Sequence, residues 1–186
     1  MKLYYAGIGS RETPSEVLEI MKKLGQLLAE KGWVLRSGGA DGADKAFEEG
    51  CDLGKGEKEI FLPWKGFNDN KSTLYFKSKE IPDAIKQQAF ALAEDFHPVW
   101  FDLSYGAKCL HARNGLQILG RDLNTPVSAV LFWSKYVTKG GTSQALRIAA
   151  EKGISIFNVG TRPERMRLSK HLEMNLEFLE ASQKAG

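Results

Sequence analysis

A chain of 186 residues with 42% hydrophobic and 26% charged residues has the apolar content for one real core, which excludes a disordered or fibrous protein. Its formal net charge of +3 comes from basic residues spread along the chain rather than gathered in a stripe, so charge alone suits an anionic small molecule better than nucleic acid. Cys51 and Cys109 lack a CxxC or metal-ligand spacing, no apolar run opens the chain, and no window nears ~20 apolar residues. The reading is a cytoplasmic protein with reduced thiols, no membrane partner, no metal and no required cofactor.

In chain order, Leu3 to Ile8 reads as a buried strand running into Gly7-Ile8-Gly9-Ser10. Thr13-Pro14-Ser15-Glu16 has the composition of a helix cap, with Thr13 as cap and Pro14 at the first helical position. Val17, Ile20, Met21, Leu24, Leu27 and Leu28 follow at helical spacing, and Gly32 suits the helix end. Trp33 to Arg36 is a second strand, feeding Ser37-Gly38-Gly39-Ala40-Asp41-Gly42-Ala43-Asp44 and then a helix. Ile60 to Leu62 is a third strand, stopped by Pro63. Residues 63–80 read as a lid or loop insertion, and loops of that length often carry function.

Residues 82–95 and 106–121 read as helices, and Val127 to Trp133 is the clearest buried strand. Lys139-Gly140-Gly141-Thr142-Ser143 opens another helix, Ile154 to Val159 is a fifth strand, and Leu168, Leu172, Leu176 and Leu179 mark a C-terminal helix over 162–182. Strands alternating with helices predict one α/β domain over residues 1–186: a Rossmann-like, three-layer arrangement around a mainly parallel sheet.

Three strand ends carry glycine: Gly7 to Ser10, Ser37 to Gly42, and Gly140 to Ser143. Glycine lets a ligand approach backbone N–H groups, and a helix N-terminus adds free donors and partial positive charge. Together they make a phosphate site at the carboxyl edge of a parallel sheet. Neither GxxxxGK[ST] nor a full GxGxxG is present, so a P-loop enzyme and a dinucleotide dehydrogenase are disfavoured. Ser10, Ser37, Thr142 and Ser143 can bond phosphate or cap helices, and Arg11 can pair with phosphate. Asp41 and Asp44 have three readings: ribose hydroxyls, a cation, or the dipole of the following helix. His111 and Arg113 are two residues apart and, on a regular helix, face different sides.

The runs YAGIGSRETP, LRSGGADGADKAFEEG, FLPWKGF, HARN and KGGTSQALRIAAEKGISIFNVG, in that order over roughly residues 3–160, resemble the SLOG superfamily. The nearest branch is the YspA or cpYpsA-related group, close to DprA-like proteins. The resemblance implies a Rossmann-like fold that binds nucleotides or ADP-ribose derivatives. It also implies a homodimer or higher homo-oligomer. The superfamily includes LOG phosphoribohydrolases, which cut the N-glycosidic bond of nucleoside monophosphates with PGGxGTxxE and an arginine on the preceding helix. Arg113 is similar to that arginine and is the one candidate catalytic residue, with Asn114 beside it. The glutamate position falls on Ala145, next to Gln144, and neither can act as a carboxylate. Glu12, Asp41, Asp44 and Asp122 are the carboxylates left to substitute. DprA-like relatives load recombinase onto single-stranded DNA through a basic surface. Here Lys65, Lys71, Lys77 and Lys79 alternate with Trp64, Phe67, Tyr75 and Phe76. Those aromatics either tuck against the sheet or stack on bases, and Trp64 is the candidate stacking residue if the segment is a lid.

The leading expectation is a module that senses or sequesters a nucleotide or nucleotide-derived ligand. The alternatives are an N-glycosidic hydrolase or transferase and a DprA-like binder of single-stranded DNA.

Overall fold

The computed structural model describes residues 2–136, 140–177 and 179. Its centre is a five-stranded sheet built from β1 (Tyr4–Gly9), β2 (Val34–Ser37), β3 (Lys58–Ile60), β4 (Ala129–Trp133) and β5 (Ser155–Asn158). All neighbours pair in parallel, in the order β3-β2-β1-β4-β5. Between the strands run α1 (Ser15–Glu30), α2 (Ala43–Leu53), α3 (Asp83–Asp95), α4 (Tyr105–Leu119) and α5 (Gly140–Glu151), and α6 (Arg162–Leu172) follows β5. The α/β, Rossmann-like, three-layer expectation is met.

Strand alternation divides the core. Tyr5, Leu35, Leu131 and Phe157 face α1 and α2, where Met21, Leu24, Leu28 and Phe47 are fully buried. Ala6, Ile8, Val130 and Phe132 face the opposite way, onto Ile118 of α4 and Leu146 and Ile148 of α5. Gly7, read from sequence as part of a phosphate turn, lies inside β1 and is buried. A Cβ there would sit 2.5 Å from the Phe47 ring, so this glycine makes room for packing.

Two local expectations are corrected. α1 starts at Ser15 with Pro14 at the cap position, and Thr13 does not cap it. The Thr13 hydroxyl instead donates to the Ser10 carbonyl at 2.7 Å, and the Glu12 N–H donates to Ser10 Oγ at 3.0 Å. Residues 10–13 thus form a self-bonded turn that separates the Gly9 corner from α1. The helix expected over 162–182 ends at Leu172, because Glu173 turns left-handed at φ 52°. Beyond the break, Leu176 and Leu179 are buried in the same core as Leu168. Positions 178 and 180–182 lie outside the described residues.

Residues 63–80 hold a short 3-10 turn, Phe67–Asp69, and a bridge between Leu62 and Tyr75. Phe67, Leu74 and Phe76 are buried, so much of the segment's apolar surface faces inward. Both cysteines are free and buried. Among the described residues no helix is long and apolar enough to cross a membrane.

Candidate functional site

β1 lies at the middle of the sheet, with β2 on one side and β4 on the other, and the chain winds outward both ways from that pair. Such a switch point leaves a crevice beyond the carboxyl ends of the two strands. Here Gly9 pairs with Trp133, and the Ser10 N–H donates to the Trp133 carbonyl at 3.0 Å. A cleft of about 350 Å³ opens above them.

Four elements wall this cleft. The β1 end gives Gly9, Ser10, Arg11 and Glu12, and the β4 end gives Ser134, Lys135 and Tyr136. α5 opens onto it with Gly140, Gly141 and Thr142. α4 lays a stripe along it: Leu110, Arg113, Asn114 and Gln117 recur at helical spacing, with His111 on the flank toward α5. The expectation that His111 and Arg113 serve different sides is corrected, because the cleft straddles the helix and takes both.

The floor is a buried charge system. Asp44, at the start of α2, is 3% exposed, and its carboxylate accepts the N–H groups of Gly38 at 3.2 Å and Ala40 at 3.3 Å. Burial pushes its pKa up to about 6, against the opposing pull of Arg113 and of the Ala40, Gly38 and Gly9 N–H groups. Arg113 is 8% exposed, donates to the Gly38 carbonyl, and lies over the Phe67 ring with its guanidinium carbon 5.2 Å from the centroid. Its Nε is buried with no hydrogen-bond partner among the described residues. An unsatisfied cationic N–H is costly, and Arg113 itself lines the cleft, so its charge favours an anion there. Gly38 is what lets this guanidinium lie against the backbone: a Cβ there would be 2.7 Å from Arg113 Cζ and 2.4 Å from Gln117 Nε2.

Between α4 and α5, Gln144 is fully buried. It donates to the Ala93 carbonyl at 2.9 Å and accepts from Asn114 Nδ2 at 3.0 Å, while its oxygen lies 2.7 Å from His111 Nδ1. Burial lowers the His111 pKa, and the adjacent His97 ring, 4.3 Å away, adds to the lowering. Ala145 lines the cleft. The carboxylates that reach the cleft are therefore Glu12, on its exposed lip, and Asp44, which is bonded to the loop.

Among the residues expected from sequence, Gly9, Ser10, Arg11, Asp44, Arg113, Asn114, Gly140, Gly141 and Thr142 come together around this one cleft. Others do not line it. The Ser37 hydroxyl is buried and donates to the Gly7 carbonyl at 2.6 Å, and Ser143 Oγ accepts from Arg147 at 2.8 Å. Gly38 and Gly42 lie behind the lining: a Cβ on Gly42 would meet the Ser10 carbonyl at 2.6 Å. Gly39 and Asp41 face a separate polar groove that also holds Lys45, Glu48 and Lys58. In the Ser37–Gly42 turn, expected as a phosphate cradle, the N–H groups of Gly38 and Ala40 are given to the Asp44 carboxylate instead. Asp122, a proposed substitute carboxylate, instead accepts from Asn124 N and Thr125 Oγ1 on the far side of α4. Lys139 lies outside the described residues. Gln117, Ser134, Lys135 and Tyr136 were not foreseen, though Gln117 follows Arg113 by one helical turn and the other three leave the end of β4.

Trp64 does not line the cleft. With Pro63, Lys65, Tyr75, Phe76, Lys77 and Tyr105 it borders a mainly apolar groove of about 370 Å³, floored by Cys109. Trp64 is 44% exposed and packs edge-on against Phe67 at 5.2 Å. Among the described residues no group of three or more His, Cys, Asp or Glu side chains could hold a metal ion.

No protein-family model and no curated protein sequence matches the chain. Solved structures do. The Moco carrier protein of Chlamydomonas rheinhardtii superposes with a TM-score of 0.52 and 16% identity, over 92% of this chain and 84% of its own. DNA processing protein A (DprA) of Streptococcus pneumoniae gives a TM-score of 0.51 and 20% identity over 84% of this chain, which spans 50% of that protein. DprA of Helicobacter pylori, described as having a unique single-stranded DNA binding mode, gives a TM-score of 0.57 and 19% identity over 98% of this chain and 80% of its own. At these identities the likeness is one of fold: this chain has the α/β, Rossmann-like architecture of the Moco carrier protein and the DprA proteins.

Proposed function

We propose that the switch-point cleft binds a nucleotide or a nucleotide-derived, ADP-ribose-like ligand, which the protein senses or sequesters. The observation that carries this reading is the buried Arg113 guanidinium, whose Nε has no partner among the described residues, lining a cleft that also holds Arg11, Lys135 and the N-terminal glycines of α5. Buried cation, free helix N–H groups and an adjoining polar wall suit a phosphate with a sugar or base attached. Ala145, where the LOG hydrolases carry glutamate, favours holding the ligand over cleaving it. Among the described residues, the hydrolase alternative is left with Glu12 as the unengaged carboxylate on the cleft. Calorimetric titration with nucleoside mono- and diphosphates and ADP-ribose, with chromatography of each mixture afterwards, tests both. Micromolar binding without release of base supports the reading; no heat and no thermal shift with any ligand overturns it.

A second reading, single-stranded DNA binding, is favoured by one observation. Trp64 and Tyr105 are exposed at the groove that Lys65 and Lys77 flank, an arrangement that can stack bases and hold phosphates. The DprA neighbours raise interest in it. An oligonucleotide titration in which Lys65→Ala/Lys77→Ala leaves both affinity and salt dependence unchanged removes this surface from consideration. The homodimer implied by the resemblance is part of the same proposal, and sedimentation of the purified chain tests it.

A further inference from the structure

The bond from Gln144 Nε2 to the Ala93 carbonyl, at 2.9 Å, fixes which end of that amide is which. Its oxygen therefore faces α4, where it accepts from Asn114 Nδ2 and meets His111 Nδ1 at 2.7 Å. An amide oxygen cannot donate, so His111 carries its proton on Nδ1. The ring nitrogen left over, Nε2, is a lone pair in the neutral imidazole. Asn114 is constrained in the same way. Its Nδ2 donates to Gln144 and to the Gly141 carbonyl at 3.1 Å, which uses both protons and leaves Oδ1 as an acceptor. His111 and Asn114 both line the cleft. The cleft thus carries acceptors on His111 and Asn114 beside its cations, Arg11 and Arg113, and beside the N-terminus of α5.

We infer that His111 Nε2 and Asn114 Oδ1 form an acceptor subsite that takes a hydrogen-bond donor on the ligand, a sugar hydroxyl or a base amine, so that the cleft selects anionic molecules that also present such a donor. This rests on the nucleotide reading above for the anionic part. Gln144, next to the position where the hydrolases hold a carboxylate, acts through His111 by setting its tautomer. It is a positioning residue. The groups facing the ring are Gln144, His97, Arg113 and Arg147; the last three oppose a second proton and so keep Nε2 bare near neutrality.

The test uses four probes with the same monophosphate: AMP, inosine monophosphate, 2′-deoxy-AMP and 3′-deoxy-AMP. Titrated into the wild-type protein at pH 7.5, the analogue lacking the recognised donor binds about 3- to 10-fold more weakly than AMP. Which analogue it is tells the base amine from a ribose hydroxyl. His111→Phe keeps a ring but no acceptor, and it abolishes that preference. The preference also fades in acid, once Nε2 takes up a proton. Equal affinities for all four probes in the wild type, or a preference retained in His111→Phe, overturns the subsite. A second measurement needs no ligand: nitrogen-15 spectra of the histidine rings show His111 protonated on Nδ1 and bare on Nε2. A proton on Nε2 overturns the inference. If none of the probes binds, the nucleotide reading fails, and the ring spectrum alone still decides the acceptor assignment.

Discussion

The turns after β2 and before α5 look alike in sequence, each a pair of glycines beside hydroxyl residues at the mouth of a helix, yet the structure uses them oppositely. In Ser37–Asp44 the loop N–H groups already have an anion, the Asp44 carboxylate, and the serine hydroxyl is spent on Gly7. At Gly140–Thr142 the helix N-terminus opens on the cleft. The difference teaches that a glycine turn is an anion site only when the chain supplies no carboxylate of its own. The first turn, filled from within, becomes the mount for Arg113, and the second remains available to a ligand.

The comparison breaks hardest at Arg113. Arg113→Met removes the cation whose charge offsets part of the burial penalty on Asp44, a loss on the order of 3 kcal/mol that protonation of Asp44 partly relieves. Denaturant unfolding at pH 7 should show that loss together with loss of phosphate-ligand binding. An unchanged midpoint would mean the two charges do not depend on each other. The next largest effect follows from acid titration of the first turn. Burial raises Asp44 from 3.8 to about 6, so the folded chain holds its proton more tightly than the unfolded chain. The stability contributed by this group is greatest below about pH 4, falls as pH rises to about 6, and is flat above, a swing of about 3 kcal/mol. In Asp44→Asn that swing is absent. Unfolding midpoints of variant and wild type compared across pH 4–7 isolate it, and parallel curves would sink the idea.

The layout of the fold was legible because β1 and β4 are short apolar runs, glycine closes β1 and follows β2 and β5, and α1 repeats its apolar residues at helical spacing. The cleft was legible for the same reason: its walls are the residues that follow parallel strands. What sequence could not reveal was occupancy. Asp44 reads as a helix-start residue or a ribose ligand until coordinates place its carboxylate under Gly38 and Ala40. Gly7 reads as a turn residue until Phe47 is seen packed against it. The leucines at 168, 172, 176 and 179 keep helical spacing, and only the left-handed Glu173 reveals that the helix stops. Trp64 follows β3, where a lid over the cleft was expected, but it packs on a different groove.

The smallest effect separates the two turns most cleanly. Gly38→Ala places a methyl 2.4 Å from Gln117 Nε2 and 2.7 Å from Arg113 Cζ, in a buried site. Those side-chain ends must move, at about 1–2 kcal/mol, and they take the guanidinium out of its place on the cleft floor. Gly141→Ala meets nothing nearer than Asn114 Nδ2 at 4.0 Å, and the backbone there is helical, so stability should change by less than about 0.5 kcal/mol. Gly141 is exposed on the cleft, however, and a methyl on it stands where a phosphate would approach the helix N–H groups. Both variants should therefore lose ligand affinity, while only Gly38→Ala loses stability. Paired thermal-unfolding and calorimetric measurements read the two quantities separately. Full ligand affinity in Gly141→Ala would place the phosphate elsewhere in the cleft, on Arg11 and Arg113, and would remove the α5 N-terminus from the site.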